Sequence, residues 1–193
     1  MIRYSSIKSK LNQLIKSDID IFFMVVNAYF LSVLICPLCG TKGCCSNHMS
    51  YSRGVITVEN GKRESYEVDI PCVLCDSCGH SHAVLPDILI PYSSYSLRFV
   101  LHVLEGYLKR TCTVAEFCYC WEIAISTFYY WKHLFLDQTS LLTGKLERFD
   151  SLVMKALEYI RDIDSLPSIF FEQFNLSFLQ QNHKKTTEYR NSS

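Results

Sequence analysis

The sequence predicts an α+β chain in which a small β unit, clasped by cysteines, precedes a helical region. Three observations carry this. Two C-x-x-C-G turns, Cys36–Gly40 and Cys75–Gly79, flank a β-rich stretch that contains Asn60-Gly61, the strongest short hairpin signal because both turn residues need positive φ. After residue 95 the apolar spacing changes to the three-to-four repeat of helices. Thr113 and Glu116 then form a T-x-x-E capping box that opens another helix close behind the first.

In chain order, residues 5–17 place Ile7, Leu11, Leu14 and Ile15 at helical spacing between lysines, which suggests a short amphipathic helix. The apolar run Ile19–Ile35 is shorter than the roughly 20 residues a membrane span needs and carries Asp20 and Asn27. It is expected to cover the fold, and a membrane partner is not expected. Thr41–Ser52 has the polarity of a loop. Strands are expected near Gly54–Glu59, Lys62–Val73 and His82–Leu85, the last stopped by Pro86. Pro86 and Pro91 bracket an extended segment.

Residues 97–110 form a helix with Ser96 as N-cap and Leu97, Val100, Leu101, Leu104 and Leu108 inward. Two more helices are expected at 146–161 and 167–180, the second with Pro167 in its first turn. The chain thus divides into an N-terminal helix and apolar segment (1–35), a cysteine-bearing β unit (36–91), a helical domain (96–181) and a polar tail (182–193).

With 193 residues, 49% hydrophobic and 20% charged, the chain is globular. Its formal net charge of zero removes a bulk basic surplus as an argument for nucleic-acid binding, so such binding must come from local charge. The ten cysteines are many for this length. The segment before Cys36 shows no secretory pattern, so metal binding or buried thiols are the expected use, and a cytoplasmic location the expected one.

Two residues between cysteines let both sulfurs of one tight turn face one ion, and a glycine after the second takes positive φ. Two such turns supply four soft ligands, Cys36, Cys39, Cys75 and Cys78, the tetrahedral set of structural Zn2+. The 35 intervening residues exceed the usual spacing, and the hairpin accounts for the excess. This is a zinc-ribbon layout. Cys72 shares the two-residue gap with Cys75 but lacks the trailing glycine, and is expected to be a small buried hydrophobe. Cys44, Cys45 and His48 form a loop cluster that could make a second site but lacks a fourth ligand nearby, so free or loosely buried thiols are expected. His80 and His82 are expected beside the ligands or on the surface. A redox C-x-x-C is disfavoured because neither pair has a βαβ context.

Residues 113–135 fit a helix-turn-helix. Phe117, Cys118, Trp121, Ile123, Phe128 and Trp131 take the inward positions, with Cys118 at the helix crossing. The second helix is expected from about Ile125 to Phe135. Ser126, Tyr129, Tyr130, Lys132 and His133 face outward, where they can reach phosphates or base edges. Lys109 and Arg110 add positive charge on the approach. Glu122 occupies the turn position usually given to glycine, and Ile125 is exposed in this register.

The CPLCG turn, the hairpin, the CxxCGHSHAVLPDILIPYSSYS segment and the helices that follow resemble a family of uncharacterised bacterial proteins, similar to the N-terminal zinc-ribbon and helix-turn-helix parts of insertion-sequence transposases. The resemblance covers about residues 30–140. It implies DNA binding linked to mobile elements, with Cys36, Cys39, Cys75 and Cys78 as zinc ligands. A DDE nuclease needs three carboxylates on separate elements to hold two ions. About sixty residues follow Tyr130, and they look helical. The expectation is therefore a noncatalytic DNA-binding protein with structural zinc and no small-molecule substrate. The alternative is a protein–protein interaction module, with a partner chain or a second copy docked on the ribbon and the aromatic helix.

Overall fold

The computed structural model describes residues 2–4, 31–86, 88–143, 170–171, 173–174 and 176–180. The helices expected at 5–17 and 146–161, the apolar run up to residue 30 and the tail at 182–193 lie outside them.

Asn60 and Gly61 adopt φ of 50° and 74°, the left-handed pair that a two-residue hairpin turn requires. The turn joins the two long strands of the fold. In chain order the strands are β1 (Ile2–Tyr4), β2 (Cys45–Glu59), β3 (Lys62–Cys75) and β4 (Ser81–Pro86). Strands β2, β3 and β4 pair antiparallel, and β1 adds parallel to the free edge of β4, so the sheet order is β1-β4-β3-β2. The helices follow: α1 (Leu97–Lys109), α2 (Val114–Cys120) and α3 (Ile125–Thr143). The chain is α+β. Among the described residues no helix is long and apolar enough to cross a membrane.

Strand β1 was not expected from the sequence, and three further elements differ from the sequence expectation. Strand β2 begins at Cys45, inside the stretch expected to be a loop. Its first half is almost wholly exposed and carries an irregularity between Asn47 and Ser50, opposite Pro71 and Val73. A proline offers no ladder N–H, so a bulge beside it is the natural adjustment, and it erases the alternation that would mark a strand. Helix α3 continues two turns beyond Phe135. In the segment expected to be helical from 167 to 180, residues 170, 171, 173 and 174 are helical, but Ser177–Gln180 is a turn with Leu179 at φ 57°.

The apolar residues gather in three clusters. At the open end of the hairpin, Ile2, Leu34, Val73 and Val84 surround Cys36, Cys45 and Cys75. Mid-sheet, Val55, Val68, Ile70, Leu85 and Leu89 pack together. At the turn end, Val58 and Ile56 join the helical core of Phe99, Val100, Leu104, Phe128, Trp131 and Phe135. Val55 and Ile56 contribute to different clusters because successive strand side chains point to opposite faces.

The segment after β4 is bonded to the hairpin. Ser96 N–H donates to Ile56 C=O at 2.8 Å, Ile56 N–H donates to Ser94 C=O at 2.7 Å, and Arg53 donates to the carbonyls of Ile90 (2.6 Å) and Ser93. Ser96 also caps α1 by accepting from Phe99 N–H. A further link joins the hairpin turn to the helices: Arg63 pairs with Glu122 at 2.8 Å.

Candidate functional site

The two C-x-x-C-G turns have one construction. In the first, Gly40 N–H donates to Cys36 C=O (2.9 Å) and Cys36 N–H to Thr41 C=O (3.0 Å). In the second, Gly79 N–H donates to Cys75 C=O (2.8 Å) and Cys75 N–H to His80 C=O (2.9 Å). A bridge closes each one residue outside the first cysteine, Ile35↔Lys42 and Leu74↔Ser81. Gly40 and Gly79 sit at φ 73° and 70°, where a side chain would be strained although space is open around them. The hairpin between the turns returns the second beside the first.

The four sulfurs of Cys36, Cys39, Cys75 and Cys78 lie within 4.8 Å of one another. Cys36 and Cys78 sulfurs are 3.6 Å apart, as are those of Cys39 and Cys75. A tetrahedral Zn2+ with bonds of about 2.3 Å sets its ligand sulfurs about 3.8 Å apart. A disulfide would bring them to about 2.05 Å. The spacing therefore fits four ligands around one ion, and all ten cysteines are free.

The electrostatics are those of clustered thiols. Hydrogen bonds from the Thr41 hydroxyl and backbone hold Cys39 down at about 6. At Cys78 the hydrogen bond from the His80 backbone lowers the value, but burial and the neighbouring sulfurs of Cys75, Cys36 and Cys39 outweigh it, and the thiol is pushed up to about 12. Four thiolates this close repel one another, and a divalent cation removes that conflict.

The surrounding residues settle several sequence readings. His82 is buried, with Nε2 3.3 Å from Cys36 Sγ, and burial lowers its pKa, which favours the neutral ring. His80 is exposed, with Nδ1 3.0 Å from Cys78 C=O. Cys44, Cys45 and His48 do not form a loop cluster. Cys45 and His48 lie on β2, where Cys45 is buried in the small core and His48 is exposed. Cys44 approaches the four-cysteine cluster, its sulfur 3.2 Å from Cys75 Sγ. Cys72 is half-buried in β3 rather than fully enclosed. His82 thus takes the first of its two expected places, beside the cysteine cluster, whereas the Cys44 contact was not visible in sequence because it joins residues more than thirty apart in the chain.

A second group of residues lies on the helices. Phe117, Cys118, Ile123, Phe128 and Trp131 are buried and Trp121 packs partly buried against them, so the expected inward set faces the core. Four residues, Trp121–Ala124, join α2 to α3, and Glu122 takes φ 51° there. Ser126, Tyr129, Tyr130 and His133 are exposed, the tyrosines to 41% and 40%, while Lys132 is half-buried. Lys132 Nζ lies 5.1 Å from the ring centre of Tyr107, and the Arg110 guanidinium lies 3.6 Å from the same ring. The end of α1 and the exposed face of α3 thus meet over one tyrosine. Lys109 is instead paired with Glu105 on its own helix at 2.5 Å.

Residues 36–131 match DUF6431, a domain of unknown function. The DUF6431 span starts at the first candidate ligand and ends within α3 at Trp131. It contains both cysteine turns, the hairpin and the α2–α3 junction, but neither Lys132 nor His133. No curated protein and no solved structure matches the chain.

Proposed function

We propose that this protein is a DNA-binding module whose cysteine centre holds one structural Zn2+. The observation that carries the nucleic-acid part is the convergence of Arg110 and Lys132 on Tyr107, beside exposed Ser126, Tyr129, Tyr130 and His133. In this reading α2 and α3 are a helix-turn-helix. Arg110 and Lys132 meet phosphates, while the α3 side chains face the groove. The β unit is a zinc ribbon, and its ion supplies cross-linking that four small aliphatic residues cannot. The reading extends to a role linked to mobile elements, noncatalytic by itself and cytoplasmic; the cysteine turns and the HAVLPD–IPY segment are the residues that support it.

Two measurements test the two halves. Elemental analysis of the purified protein should find zinc in one-to-one ratio, and its absence after reconstitution would remove the metal. A duplex-DNA shift assay across salt concentrations should show binding that weakens with salt. Arg110→Ala and Lys132→Ala should each reduce the logarithmic slope by about one. A slope unchanged by either substitution would sink the DNA reading.

The second reading, docking of another protein chain, draws on exposed Tyr119, Ile125, Tyr129 and Tyr130. Absence of DNA binding, together with self-association that Tyr130→Ala abolishes, would favour it.

A further inference from the structure

The metal centre has a fifth sulfur. Cys44 Sγ lies 3.2 Å from Cys75 Sγ, closer than either of the 3.6 Å sulfur pairs within the tetrahedral set. Cys44 is not one of the four mutually close sulfurs. Its thiol donates to Thr41 C=O at 3.2 Å. The backbone holds the pair in place. Cys45 is the register partner of Cys75, and Asp76 N–H donates to Cys44 C=O at 2.8 Å. Cys44 is partly exposed, whereas Cys75 is fully buried.

We propose that Cys44 is an oxidative modification site whose product is a Cys44–Cys75 disulfide, so that a peroxide removes one ligand from the metal centre. The loss of a ligand rests on the four-cysteine metal reading; the Cys44–Cys75 bond does not. Hydrogen peroxide converts the accessible Cys44 thiol to a sulfenic acid, releasing one water. The Cys75 sulfur then attacks the Cys44 sulfur and displaces hydroxide, which leaves as a second water after taking a proton. Two thiol sulfurs lose two electrons in total, and one peroxide becomes two waters. The sulfurs need only close to about 2.05 Å between strands already held side by side. Three candidate ligands then remain, and the affinity of a closed four-ligand site is lost.

The test treats the zinc-loaded full chain with hydrogen peroxide and follows two readouts: released zinc with a chromogenic chelator, and cysteine pairing by peptide mapping. The native protein should release zinc as a Cys44–Cys75 bridge accumulates, and a thiol reductant should reverse both. Cys44→Ser should bind zinc in the native ratio yet release it at least tenfold more slowly. Cys112→Ser, an exposed cysteine elsewhere, should behave as native.

A bridge between other cysteines, or equal zinc release from Cys44→Ser, would overturn the proposal. So would failure of a folded Cys44→Ser to bind zinc, which would make Cys44 a ligand. Should the native chain hold no zinc at all, the metal reading fails. Peptide mapping of that same oxidised chain still decides the Cys44–Cys75 pair.

Discussion

His82 shows what a single buried side chain contributes to this centre. Its ring is enclosed, sits 3.3 Å from Cys36 Sγ and is held towards neutrality by burial. Such a partner orients a ligand and shares its charge, and removing one typically costs about 10–100-fold in metal affinity. His82→Phe, which keeps the ring volume and loses the nitrogens, should weaken zinc binding by that factor in competition with a chelating dye, and His82→Gln should recover part of it. The four-cysteine cluster was legible in the sequence because a C-x-x-C-G turn is local chemistry. A place for His82 beside the cluster was one of two expected, but the sulfur it meets, and the approach of Cys44, were not legible, because β3–β4 pairing and the packing of the first turn on the second decide them. Glu122 is an intermediate case. Its position in the turn marked it as unusual for a non-glycine, and the structure gives it φ 51° together with an ion pair to Arg63.

Helix α2 is short and depends on its start. Thr113 accepts from Glu116 N–H, and the Glu116 carboxylate accepts from Thr113 N–H at 2.9 Å and from its hydroxyl at 2.8 Å. Thr113→Ala should cost about 1 kcal/mol of stability in urea denaturation. The same bonds lower the Glu116 pKa, so its contribution is complete above the unfolded carboxylate value and lost as pH falls through the folded one. The stability difference between native protein and Glu116→Gln should therefore be constant from pH 7 to 5 and shrink below about pH 4.5.

Capping patterns of this kind, like the Asn60-Gly61 turn and the Ser96 cap, are written in adjacent residues and were legible. The far end of α3 was not. Gln138 and Thr139 interrupt the apolar repeat, yet both are buried. Gln138 Oε1 accepts from Leu179 N–H at 2.6 Å and its Nε2 donates to Gln180 C=O at 3.3 Å, bonds that lie some forty residues away in the chain. The first half of β2 was hidden for a related reason: it is a strand because β3 pairs with it, not because its own residues alternate.

At the scale of the whole molecule, the small sulfur-rich core and the large aromatic core occupy opposite ends of one hairpin. The first has few aliphatic side chains, so with zinc bound as proposed it would depend on its ion. The second, with Phe99, Phe128, Trp131 and Phe135 enclosed, holds itself together by burial. Chelation should therefore have unequal effects. In hydrogen exchange, amides of residues 36–46 and 72–82 should lose protection on metal removal, while those of α1 and α3 keep most of theirs. Uniform loss along the chain would mean that the two cores fold as one cooperative unit.

The length of β2 sets a further condition. From Cys45 to Glu59 its residues span roughly 45 Å at about 3.3 Å each. That is several Debye lengths at physiological ionic strength. The field of a cation held by the four cysteines would be largely screened over such a length, so exchanging one tetrahedral ion for another of equal charge and size should leave any partner proposed for α3 indifferent. A mechanical change, transmitted along the ladder and through the Ser96–Ile56 bond and the Arg63–Glu122 clasp, is what could carry news from one end to the other.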